Sequence, residues 1–133
     1  MLLAERNSAM ANTVVWFDTP VKDIDRAVRF YSAVLGKPIK KESYPGMTLA
    51  VLPHDKDEVS GCLVPGCGKP DDPQPSAQGT LLYLNCQGRL DEAVAEVEKN
   101  GGKVLQPRHP IGPYGFRAVV LDSEGNRIAL HSM

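Results

Sequence analysis

The sequence predicts an α+β domain made of two successive modules, each a strand, a helix and then two or three strands. Three observations carry this reading. The same order of elements occurs twice; the two helical segments close on Gly36 and Gly101, 65 positions apart; and the β-branched and aromatic run at 14–17 stands about as far before a similar run at 81–84. A half of this length cannot bury both a helix face and a sheet face alone, so the halves are expected to share one core.

In chain order, "NTVVWFDTPV" (12–21) reads as a strand that ends at a proline. In "KDIDRAVRFYSAVLGK", Asp23 is placed to cap a helix, and Ile24, Ala27, Val28, Tyr31, Val34 and Leu35 recur on one face. Gly36 then supplies a left-handed stop, and Pro38 prevents continuation. "MTLAVLP" (47–53) and "VSGCLVPG" (59–66) read as a hairpin around the charged loop "HDKDE". "PGCGKPDDPQPSAQG" (65–79) is rich in Pro, Gly and Asp without periodicity, the composition of a linker. "GTLLYLNCQ" begins the second module as a strand, and "RLDEAVAEVEKNGG" follows as a helix with Leu90, Ala93, Val94 and Val97 inward. "GKVLQ", "FRAVVLD" and "NRIALHS" complete it as strands, the last after a turn at 122–126. One domain is expected over 13–133, with module one at about 13–66, a linker at about 67–78, module two at about 79–133, and a flexible extension over 1–12. Met10, just before "ANTVVWFDTP", offers an alternative start to Met1, and the first nine residues are expected to fray.

Composition narrows the function. Apolar residues are 42% and charged residues 23%, which suits an ordinary globular domain. Fifteen scattered Lys and Arg against 16 Asp and Glu give a net charge of −1, so nothing draws the chain to a nucleic-acid backbone. No apolar run has a membrane-spanning length, and a cytoplasmic protein is expected. Cys62, Cys67 and Cys86 lack the spacing of a zinc or redox motif and read as reduced thiols, two of them packed in strands.

The paired modules, with "FYSAVLG" closing the first helix, "NGGKV" closing the second and "LDSEGNRIAL" near the end, resemble the vicinal oxygen chelate superfamily. That group includes glyoxalase I, extradiol dioxygenases, fosfomycin-modifying enzymes and bleomycin-resistance proteins. The resemblance runs from about Thr13 to Ser132. It implies two βαβββ modules forming an incomplete barrel around a metal or an organic ligand. In metal-dependent members His, Gln or Glu on the first and last strand of each module hold the ion, which acts as a Lewis acid. Carried over residue by residue, those positions fall on Trp16, on Val64 with Cys62 on the same face, on Thr80 or Leu82, and on Ala129. None offers a nitrogen or carboxylate ligand, so neither that metal site nor any other cofactor is expected.

The residues left to carry function line the expected cleft. Trp16 is either a core filler or a flat stacking wall, and Asp18 either organises the turn before Pro20 or acts as a base. Arg117 is either an exposed arginine on an edge strand or a partner for an anionic group. "HPIGPYGFRA" (109–118) has the stiff prolines and permissive glycines of a flap. Ile128 and Leu130 should face the helices, while Arg127, Ala129 and His131 face the cleft.

Three functions compete: a metal-free homodimer that binds a small, partly apolar molecule in the cleft; a metal-dependent lyase or dioxygenase with a site relocated to His131 and Glu58, His54 or His109; and an assembly module with no small ligand. The first stands foremost, with Trp16, Asp18, Val64, Leu82, Arg117, Ala129 and His131 as its lining and no catalytic residue assigned. Neither nucleic acid nor membrane is an expected partner.

Overall fold

The structure, a computed structural model, describes residues 12–66 and 70–133. The expected frayed start with its choice of Met1 or Met10, most of the 1–12 extension and the thiol of Cys67 lie outside the described residues.

Both modules are βαβββ. The first comprises β1 (Asp18–Val21), α1 (Ile24–Leu35), β2 (Lys41–Tyr44), β3 (Met47–Val51) and β4 (Cys62–Pro65). The second comprises β5 (Leu82–Asn85), α2 (Leu90–Lys99), β6 (Lys103–Pro110), a 3₁₀ turn (Gly112–Tyr114), β7 (Phe116–Leu121) and β8 (Arg127–Ser132). Each makes an open four-stranded sheet, ordered β1-β4-β3-β2 and β5-β8-β7-β6, in which the first and last strands of the module run parallel. No helix among the described residues is long and apolar enough to cross a membrane.

The helices form where capping and periodicity place them. Asp23 accepts a hydrogen bond from the Arg26 amide at 3.1 Å, and Gly36 closes α1 at φ 73°. Phe30, absent from the inward set read from the sequence, is buried with Ala27, Tyr31 and Val34. One continuous core joins Val21, Ala50 and Leu63 of the first sheet, both helices, and Ala118, Val120, Ile128 and Leu130 of the second. The halves therefore share a core as expected.

Several strand boundaries differ from the sequence reading. The first strand begins only at Asp18, while Val14, Val15 and Trp16 are exposed ahead of it. β2, implied by the resemblance, was not read from its own residues; its polar "KESY" conceals a hairpin, turned by Pro45 and by Gly46 at φ 74°. β4 starts at Cys62, three residues later than read. β6 continues through Pro107 to Pro110, which shortens the expected flap to residues 111–115. Proline is tolerated there because β6 is an edge strand, irregular in register between Val104 and His109.

Module two also grips α1 at both ends. From the turn before β8, Glu124 Oε1 accepts the Lys22 and Asp23 amides at 2.8 Å each, and its carboxylate pairs with Arg26 at 2.7 and 2.9 Å. Arg89, just before α2, donates from Nη1 to the Val34 carbonyl at 2.5 Å. An acid at the helix entrance and a cation at its exit both oppose the helix dipole. Tyr31 donates to Asp122 Oδ2 at 2.5 Å, and Asn126 Nδ2 donates to the Pro20 carbonyl at 2.9 Å. Burial, reinforced by the Asp122 carboxylate, raises the Tyr31 hydroxyl well above its ordinary range, which fixes it as the donor.

Candidate functional site

β1 and β5 are the edge strands that face one another where the two sheets meet, and no backbone ladder joins them. Two cavities lie along this seam. One, of about 450 Å³, is lined by Phe17, Leu35, Leu52, His54 and Glu58 from module one and by residues 82–85 of β5. The other, of about 430 Å³, reaches from Asp18 and Thr19 to Ser76, Thr80 and Arg127. Val14, Phe17 and Leu82 line both. The break in pairing that leaves β1 and β5 as edges is thus what opens the space.

Register decides what each sheet shows on the face away from the helices. In module one, Asp18 stands beside Cys62, Cys62 beside Val51, Leu49 beside Glu42 and Met47 beside Tyr44, so these residues share the open face with Val64. Asp18 Oδ1 accepts from Trp16 Nε1 at 3.2 Å and from Cys62 Sγ at 3.3 Å. Asp18 therefore fixes the Trp16 ring over this face, a role that neither sequence reading of the residue gave it. Burial, helped by Asp18, pushes the Cys62 thiol up to about 11. Burial does the same to Cys86, partly opposed by Arg89. Both are buried free cysteines, protonated at neutral pH and unsuited to nucleophilic attack.

In module two, Tyr83 stands beside Ala129 and Asn85 beside His131, while Val119 and Arg117 flank Ala129 and His131 on the other side. Arg127, Ala129 and His131 face away from the helices as expected. Leu82 does not: it pairs with Ile128, whose side chain lies in the core, so Tyr83 takes the open-face position on β5. The signal for this face lies in the pairing with Ile128 and not in the residues of β5 alone. Leu82 meets the candidate site only at the seam. Ala129 is wholly buried, so the open face closes over the centre of β8.

Around that closed centre is a polar cluster. Arg117 lies on an inner strand, half-buried, and not on an edge. It donates from Nε to His109 Nε2 at 3.0 Å and from Nη1 to the Tyr83 hydroxyl at 2.5 Å. His109 Nδ1 lies 2.9 Å from the Pro107 carbonyl, which fixes the neutral tautomer with its proton on Nδ1. His131 Nε2 donates to the Tyr114 carbonyl at 2.6 Å and holds the 3₁₀ turn against β8. His109, read as a loop residue, is thus a strand residue bound to Arg117, whereas His54 stays in an exposed loop. Sequence reasoning missed Tyr83, because the wrong face of β5 was assigned to the cleft.

Among the described residues no three His, Cys, Asp or Glu side chains come together to hold a metal ion. The relocated set does not assemble: His54 and Glu58 line the larger cavity, whereas His109 is tied to Arg117 and His131 to the 3₁₀ turn. The donors present do not fit the metal chemistry implied by the resemblance.

Residues 13–130 match the family model described as Glyoxalase/Bleomycin resistance protein/Dioxygenase superfamily. Among curated proteins no sequence matches the chain. A glyoxalase/bleomycin resistance protein from Albidiferax ferrireducens T118 is similar in structure, with TM-score 0.71 and 17% identity over 92% of this chain and 99% of that one. A glyoxalase-related enzyme from Fulvimarina pelagi gives TM-score 0.65 and 14% identity over 92% and 88%. Glyoxalase I from Zea mays gives TM-score 0.65 and 21% identity over 89% of this chain, which spans 45% of the maize protein. At these identities the likeness is one of fold.

Proposed function

The chain belongs to the glyoxalase/bleomycin resistance protein/dioxygenase superfamily, and from that membership we propose that it binds a small, partly apolar organic molecule between its two modules without a metal ion. The observation that supports this is the pair of cavities, about 450 and 430 Å³, that share Val14, Phe17 and Leu82 along one seam. Their size falls in the range of roughly 300–1,000 Å³ that small-molecule sites occupy, and their walls mix apolar side chains with a few polar groups. His54 and Glu58 at one end and Arg127 at the other give orientation to a ligand whose body lies against Phe17 and Leu82.

A thermal-shift screen of neutral aromatic compounds, followed by calorimetry, tests this. Binding to the wild type should be weakened in Leu82→Trp, whose larger side chain intrudes where the two cavities share a wall. Undiminished binding in that variant, or no stabilisation by any compound, sinks the reading. The proposal also includes a homodimer, since Trp16, Tyr44 and Met47 are about half exposed on the open face of the first sheet. Buried thiols kept as free cysteines suit a reducing compartment, and the proposal places the protein in the cytoplasm.

A further inference from the structure

We propose that the open face of the second sheet carries an oxyanion-binding site, centred on Arg117 with the Tyr83 hydroxyl as second donor, that takes the carboxylate of a small organic acid. The site adjoins the larger seam cavity, which Tyr83 also lines, but its centre, Arg117, belongs to neither cavity lining.

Among the described residues Arg117 has no acidic partner. The ion pairs among the described residues involve Arg26, Lys41, Lys99 and Arg108, and none involves Arg117. Its two bonds go to neutral acceptors, the His109 ring and the Tyr83 phenol, so its charge is oriented without being neutralised. These bonds use Nε and one hydrogen of Nη1. Nη2 carries no protein hydrogen bond among the described residues, and with the remaining Nη1 hydrogen it presents the fork that matches a carboxylate.

The neighbours complete the geometry. Because the Tyr83 oxygen accepts from Arg117, the phenol keeps its own hydrogen to donate. The guanidinium also stands 5.9 Å from the centre of the Tyr83 ring, and that ring meets His131 edge to face at 6.2 Å. Among the described residues of this sheet face Lys103 and Arg127 accompany Arg117 and no Asp or Glu joins them, while Asp55 and Glu58 line the larger cavity together with Tyr83. An anion placed there therefore meets a positive field and prearranged donors, while a neutral amide of the same shape gains only the second of these. The half-burial of Arg117 keeps the pairing from being fully screened.

Titration of ¹⁵N-labelled full-length protein with benzoate, benzamide and inorganic phosphate tests the site, followed through the Arg117 Nε–H and the histidine ring resonances. Benzoate should shift these signals saturably, and benzamide should bind at least about tenfold more weakly. Arg117→Met should weaken benzoate by about tenfold or more, and Tyr83→Phe by a smaller factor, with the melting temperature of Tyr83→Phe near that of the wild type. Equal affinity for benzoate and benzamide, or no shift with benzoate, overturns the proposal. If Arg117→Met fails to fold, Tyr83→Phe decides, and unchanged benzoate affinity in it overturns the assignment. Phosphate that competes with benzoate supports a general oxyanion site, and phosphate that does not supports selectivity for carboxylate. Leu82→Trp should leave benzoate affinity unchanged, which separates this site from the seam; equal loss of benzoate in Leu82→Trp also overturns it.

Discussion

In the folded chain the Glu124 carboxylate is buried, which by itself disfavours its charge, yet Arg26, the Asp23 amide, Ser123 and the Lys22 amide all donate to it. The hydrogen bonds win, and the group is held down to about 2 from an ordinary 4.5. A depressed carboxyl contributes its full stability above the ordinary value and loses it as pH falls toward the folded one. Urea midpoints should therefore decline between about pH 4.5 and 2, more steeply than in Glu124→Gln. That variant should be less stable at neutral pH by roughly 2–3 kcal/mol, since Arg26 keeps partial access to water while the two amides lose their charged acceptor. A parallel decline in both proteins would remove Glu124 from the account. In the sequence the turn around Glu124 was legible and its latch was not, because partners 98 to 102 positions away leave no local trace. The same limit explains Asp18, whose bond to Cys62 spans 44 positions.

At the scale of elements, the helices were legible because capping and periodicity are local, and the strands less so because pairing is not. "KESY" has too little apolar alternation to announce β2, and only the partner β3 makes it a strand. The face of β5 could not be fixed from its own residues either. "LLYLN" alternates ambiguously, and the parallel partner Ile128 settles the question. Element packing makes its own prediction at Gly102, after α2. A Cβ there would stand 2.4 Å from the Leu121 carbonyl oxygen, 2.6 Å from the Phe30 ring and 2.9 Å from Val97. The first contact is backbone and cannot yield cheaply, so Gly102→Ala should cost about 1–3 kcal/mol. Gly46→Ala, at the tip of the β2–β3 hairpin, meets no atom within 4 Å but must hold φ at 74°, so its cost is one of backbone strain alone. Denaturant midpoints should place Gly102→Ala below Gly46→Ala; the reverse order would mean that α2 and β7 separate more easily than their packing implies.

At the scale of the whole molecule, the two open faces differ in kind. Among the described residues the first sheet shows Tyr44, Met47, Leu49, Val51 and Val64 with the acids Asp18 and Glu42 and no cation. The second shows Lys103, His109, Arg117, Arg127 and His131 and, among the described residues, no acid. A single chain leaves both faces open, and each supplies what the other lacks. In a twofold dimer the first sheet of each copy can cover the second sheet of the other, so the complementary contact is made twice and the assembly closes. Sedimentation at micromolar concentration should therefore give a dimer. Met47→Glu should give a monomer, because it buries a charge in the apolar part of the contact, while Lys99→Glu on α2 should leave the dimer intact. Added salt should weaken association through the complementary charges. A wild type that sediments as a monomer would leave the apolar face of the first sheet in water and end the proposal of a dimer, whereas the Arg117 site, built within one chain, would stand or fall by its own titration.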